Sequence, residues 1–185
     1  MKRVIIVHGW AGNPTSNWFP WLKSELEVRG VKVLDLTMPD SKHPIQNVWI
    51  DYLNENIKDV DEDTFFVGHS LGGISILRYL EGLPEDTRVG GIVLVASFAL
   101  PVGYSYPDGF CQSDVDFIKI KKIISDRVVM IHSDNDKYVL NETGRHLHKN
   151  LGGKFVIIHR GGHLTSDDGY IEFPEVLEAL GSLGV

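Results

Sequence analysis

Six short apolar runs recur along this chain: Val4–Val7, Val31–Leu36, Thr64–Gly68, Gly91–Ala96, Val128–His132 and Lys154–Ile158. They are mostly continuous rather than alternating, the pattern of strands buried on both faces. Parallel strands require crossovers of a dozen or more residues, and the gaps between these runs carry helical spacing. Trp18, Leu22 and Leu26 recur every fourth residue, Pro20 suits a first helical turn, and Arg29-Gly30 ends the stripe. Ile45, Val48, Trp49, Tyr52, Leu53 and Ile57 mark one side of a helix over 45–58, and Leu71–Leu80 forms another, stopped at Gly82-Leu83-Pro84. Further helices are expected at Asp114–Ile124, Glu142–Leu151 and Phe173–Leu180. The expected fold is α/β: one domain over 1–185, with a doubly wound, mainly parallel six-stranded sheet flanked by helices. Ser97–Gln112 holds Pro101, Gly103, Pro107 and Gly109 without a period. It reads as a loop or small lid, in an insertion near 97–125.

Composition removes several function classes. With 18 Lys+Arg against 25 Asp+Glu the net charge is −7, and no basic run exceeds Lys121-Lys122, so nucleic acid is not an expected partner. A chain of 185 residues buries roughly 70% of its unfolded surface and needs no disulfide or metal staple. Cys111, the lone cysteine, permits no internal disulfide and fits a reducing cytoplasm; without a cationic neighbour in sequence it reads as a passive thiol. Only Val4–Val7 separates Met1-Lys2-Arg3 from His8, too little for an export signal, and Ile92–Leu100 is about half of the ~20 residues a membrane span needs. Neither metal nor cofactor is expected. His146 and His148, two apart on a helix, point to different sides, Gly9-Trp10-Ala11-Gly12 has the wrong glycine spacing for a dinucleotide, and no phosphate-binding Gly-x-x-x-x-Gly-Lys-Ser/Thr occurs.

The chemistry concentrates at Gly68-His69-Ser70-Leu71-Gly72, directly after an apolar run and directly before a helical pattern. A nucleophilic serine must project from a very tight strand-to-helix turn, where side chains two positions either side would collide. The following helix aims its N–H groups and dipole at the oxygen that turns negative during acyl transfer. The competing reading is an ordinary turn with a capping serine.

A serine hydroxyl is a poor nucleophile without a base, and the base needs an orienting group. His163, in Arg160-Gly161-Gly162-His163-Leu164, follows the last expected strand on a permissive loop and is the base candidate. His132 and His159 read as structural, His43 precedes a proline, and His69 points away from Ser70. The acid should follow the preceding strand, where Ser133-Asp134-Asn135-Asp136 offers two aspartates. Asp136 is preferred because Val139 follows it as the loop turns back toward a helix; Asp134 reads as a turn cap. Asp167 and Asp168 read as caps of the final helix. The order Ser70, Asp136, His163 is that of α/β-hydrolases.

The second part of an oxyanion pocket is expected from Val7-His8-Gly9-Trp10, whose Trp10 N–H would join that of Leu71. His8, Trp18, Phe98 and Tyr104 are candidate substrate-pocket residues, with Trp10, Tyr106 and Phe110 as further aromatic lining; the alternative for all of them is plain core or lid packing.

His8-Gly9-Trp10, Trp18-Phe19-Pro20-Trp21-Leu22-Lys23, Met38-Pro39-Asp40, the Ser70 pentapeptide, Ile92-Val93-Leu94-Val95, Ser133-Asp134-Asn135-Asp136 and Gly161-Gly162-His163 resemble the YdeN and retinoblastoma-binding protein nine family nearly end to end. The resemblance implies a compact α/β-hydrolase with Ser70, Asp136 and His163 as its triad and serine hydrolase chemistry. Retinoblastoma-type binding is not implied, because no Leu-x-Cys-x-Glu occurs and Cys111 is flanked by Phe110 and Gln112. The expectation is therefore a hydrolase of small carboxylic esters or related acyl bonds acting on a small-molecule substrate. The alternative is a catalytically silent protein-interaction module on the same fold.

Overall fold

The computed structural model describes all 185 residues, Met1–Val185. Strands β1 (Arg3–Val7), β2 (Lys32–Leu36), β3 (Thr64–His69), β4 (Gly91–Val95), β5 (Val128–Ser133) and β6 (Lys154–Ile158) form one sheet in the order β2-β1-β3-β4-β5-β6, with every pair parallel. Helices α1 (Phe19–Val28), α2 (Gln46–Asn56), α3 (Leu71–Gly82), α4 (Ser105–Asp108), α5 (Phe117–Ile124), α6 (Asn141–Leu151) and α7 (Pro174–Leu183) flank it.

Strand periodicity divides the interior into two layers. Ile5, Val7, Phe66, Ile92, Leu94, Val128 and Met130 face one core, shared with α2, α3, α5 and α6. Val4, Ile6, Phe65, Val67, Val93, Val95, Val129 and Ile131 face a second core under α1 and α7. Both faces are thus covered, which is why these strands read as unbroken apolar runs. The chain leaves β1 for the β2 side and returns through α2 to place β3 on the other flank of β1. That reversal opens a crevice beyond the carboxyl ends of β1 and β3.

The six expected strands and the long helices are present, all but β6 with an end shifted by a few residues. Val31 is outside β2 because its N–H donates to the Leu26 carbonyl and Gly30, at φ 76°, closes α1 in the left-handed region. The fifth helix starts at Phe117, not Asp114, since Asp116 caps it by accepting the Lys119 N–H at 2.9 Å. The aperiodic stretch after β4 is not wholly a loop: it folds into α4 and a 3₁₀ turn, Gly109–Cys111, and Asp108 accepts the Val102 and Gly103 N–H groups to close it. No helix is long and apolar enough to cross a membrane.

Candidate active site

β3 runs straight into α3 through Ser70, the one residue between them. Ser70 sits at φ 53°, ψ −120°, a conformation that costs a non-glycine residue of order 1–3 kcal/mol. Its peptide is fixed on both sides: the N–H donates to Val95 O at 2.8 Å, and the carbonyl accepts Gly73 N–H at 3.0 Å and Ser97 Oγ–H at 3.1 Å. The flanking glycines are required by close approach. A Cβ on Gly68 would stand 2.6 Å from Gly73 Cα, and one on Gly72 would press into the Val7 carbonyl of β1.

Three distant segments meet here. Ser70 Oγ lies 3.1 Å from His163 Nε2, and His163 Nδ1 lies 2.7 Å from Asp136 Oδ2. Asp136 is buried, and its other oxygen accepts the Tyr138 and Val139 N–H groups at 2.8 and 3.0 Å. Both carboxylate oxygens are therefore occupied and the side chain has one orientation. An alcohol, an imidazole and a carboxylate in this order can pass a proton from oxygen to nitrogen while the carboxylate holds the ring's tautomer.

Asp134 does not reach His163. Its carboxylate takes the exposed His159 Nδ1 at 2.5 Å and the Arg160 N–H at 2.8 Å, contacts that hold its own pKa below the usual carboxylate range. Asn135 Oδ1 accepts Gly162 N–H at 2.8 Å. Residues 134, 135 and 136 thus bind 159–160, 162 and 163 in step, so the acid loop and the histidine loop are laced together. Sequence reasoning missed this lacing, because its partners lie some 25 residues apart and the only local signal is the run of short acceptor side chains.

Five expectations change with the tertiary structure. His8 does not line the crevice: it is buried, donates Nδ1–H to Gly9 O, accepts Met38 N–H at Nε2, and burial lowers its pKa. Trp18 is buried against Phe19 and Phe173, and its Nε1–H reaches the Leu164 carbonyl at 3.0 Å, so it supports the histidine loop from beneath. Asp168 does not cap α7, and neither it nor Asp167 belongs to that helix. Both lie in a separate 3₁₀ turn, Ser166–Asp168, whose capping box joins Thr165 and Asp168. Phe110 is core packing against Trp49, and Tyr106 lies outside the crevice, tilted against Trp10 and edge-on to His43.

Phe98, Tyr104 and Trp10 do line the crevice, together with Tyr138, whose ring centroid is 5.2 Å from that of His163. The crevice encloses about 480 Å³ and no Lys or Arg lines it. The Trp10 N–H has no protein acceptor, and the Leu71 N–H opens α3, where no intrahelical carbonyl is available. His132 is buried against Phe155, as a structural histidine, and neither ring nitrogen has a partner; burial lowers its pKa to about 4. Burial likewise raises the Cys111 thiol to about 11, outweighing Arg78, in keeping with a passive thiol.

The sequence pattern of the serine hydrolase family matches residues 4–182. The chain is 36% identical over 183 residues to the hydrolase YdeN of Bacillus subtilis, covering 98% of this chain and 95% of that one. The crystal structure of the B. subtilis ydeN product superposes with a TM-score of 0.95 at 34% identity, over 99% and 98% of the two chains. Serine hydrolase RBBP9 of Rattus norvegicus is 24% identical over 186 residues, covering 98% and 95%. Est1E of Butyrivibrio proteoclasticus, solved with ferulic acid, shares the fold at a TM-score of 0.67 and 15% identity, over 98% and 90%. With a match over nearly its whole length, this chain belongs to the serine hydrolase family.

Proposed function

We propose that the protein hydrolyses small carboxylic esters through an acyl-enzyme, with Ser70 as nucleophile, His163 as general base and Asp136 as its orienting acid. The observation that carries this reading is the continuous Ser70–His163–Asp136 hydrogen-bond chain at 3.1 and 2.7 Å. Ser70 Oγ attacks the ester carbonyl as its proton passes to His163 Nε2. The tetrahedral oxyanion takes the Trp10 and Leu71 N–H groups. Collapse expels the alcohol, which leaves with the proton from His163. Water, deprotonated by the same imidazole, then attacks the acyl-serine, and a second collapse returns the proton to Ser70. Phe98, Tyr104 and Tyr138 offer the acyl group an apolar wall, and a crevice of about 480 Å³ without cations suits a small uncharged substrate. The stretch 97–125 acts as a small lid on a single domain. A cytoplasmic location belongs to the same reading, supported by the lone cysteine.

The test is labelling with a fluorophosphonate alongside turnover of short nitrophenyl esters. Wild type is expected to form one adduct on Ser70 and to turn over, and Ser70→Ala to do neither. A folded wild type that neither labels nor turns over leaves only the silent interaction module.

A further inference from the structure

The proposed base stands on a loop that has no regular backbone ladder to fix it. Arg160, Gly162 and Leu164 have φ of 55°, 60° and 57°, so residues on both sides of His163 lie in the left-handed region. Nevertheless the peptide groups of His163 are both bound by side chains. Its N–H donates to Asp168 Oδ2 at 3.0 Å, and its carbonyl accepts His69 Nε2–H at 2.9 Å. The same Asp168 oxygen accepts Thr165 N–H at 3.2 Å and Thr165 Oγ–H at 2.8 Å, which fixes the acceptor in place.

His69 is the chain neighbour of Ser70, on the last position of β3. It is buried beside Trp18 and Phe19, and its ring lies 4.9 Å from that of His163. Because its partner is a carbonyl, Nε2 must carry the proton. Burial, and then the nearby His163, depress its pKa to about 3, so it stays a neutral donor and adds no repelling charge when the proposed base is protonated.

We propose that His69 and Asp168 are positioning residues for His163: by holding its carbonyl and its N–H they fix the imidazole over Ser70. This rests on the hydrolytic reading above. The arrangement couples nucleophile and base through one strand end, because any shift of β3 carries Ser70 and the His69 clamp together and preserves the 3.1 Å approach.

The experiment uses the full chain with His69→Gln, His69→Asn, His69→Leu, Asp168→Asn and Asp168→Ala. Gln places an amide N–H near the Nε2 position, Asn does not reach it, and Leu has no donor. Asn at 168 keeps an acceptor oxygen and Ala does not. For His69→Asn, His69→Leu and Asp168→Ala the expected result is a fall in kcat of about 10²-fold, with KM little changed. His69→Gln and Asp168→Asn should recover most of it. A second readout is the downfield proton resonance of the His163 Nδ1–H bonded to Asp136, which should be retained in the two rescuing variants and broadened or lost in the other three. Unchanged kcat and resonance in all five would overturn the proposal, as would losses that simply follow Tm without rescue. Since the resonance is read without turnover, failure of the hydrolytic reading shows separately, as an intact resonance in a wild type that cleaves no ester.

Discussion

At single residues the site is governed by hydrogen bonds to groups that leave no freedom. Asp136 has both oxygens engaged, one on His163 and one on two backbone N–H groups, whereas Asp134 spends its carboxylate on His159 and Arg160. Replacing Asp136 with Asn keeps the shape but favours the wrong imidazole tautomer, and kcat is expected to drop by about 10⁴. Asp134→Asn is expected to leave kcat within a few-fold, and steady-state kinetics on both variants separates the two aspartates. Gly72 tests the fold rather than the chemistry. Its Cβ would meet the Val7 carbonyl of the neighbouring strand, so Gly72→Ala should destabilise by about 1–3 kcal/mol, measured as a lowered urea midpoint.

Among the elements, α3 has two tasks. Its N-terminus follows Ser70 directly, while Arg78, near its other end, clamps the proposed lid itself. Arg78 is buried and donates to the carbonyls of Phe110, Asp114 and Ser113 and to Glu81. Those carbonyls lie on an irregular stretch with little else to satisfy them. Arg78→Met should therefore cost about 1.5–3 kcal/mol, visible in denaturant unfolding. Protease cleavage should then become faster between 99 and 116 before it does elsewhere, because that stretch loses its anchor to α3.

For the whole molecule, three buried imidazoles, His8, His69 and His132, have pKa values lowered by burial and link stability to pH. His69 and His132 have pKa values lowered to about 3 and about 4 from an ordinary 6.5. Below pH 6.5 the unfolded chain takes up these protons and the folded chain does not. Stability is therefore full above 6.5 and falls as pH drops toward 4, by up to about 1.4 kcal/mol per pH unit for each ring. Urea midpoints from pH 7 to pH 4 should show this slope, and His132→Phe should reduce it by one ring's share while His69 and His8 keep the rest. A slope unchanged in His132→Phe would assign the dependence to other groups.

The strands and helices, the tight turn at Ser70 and the candidate partners Asp136 and His163 were legible along the chain. Each of these follows from local physics: apolar periodicity, glycine where backbones touch, and a fixed order of chemical groups on successive loops. What the chain alone left open was which acceptor faces which donor across 25 to 150 residues. Only the packed sheet turned His8 and Trp18 from pocket wall into supports, moved Asp168 from a helix cap to the backbone of His163, and set His69 under that same loop. A hydrogen bond depends on angles and on a few tenths of an ångström, quantities that exist only once the layers have closed, whereas burial and the alternation of strand and helix are averages that a one-dimensional pattern already carries.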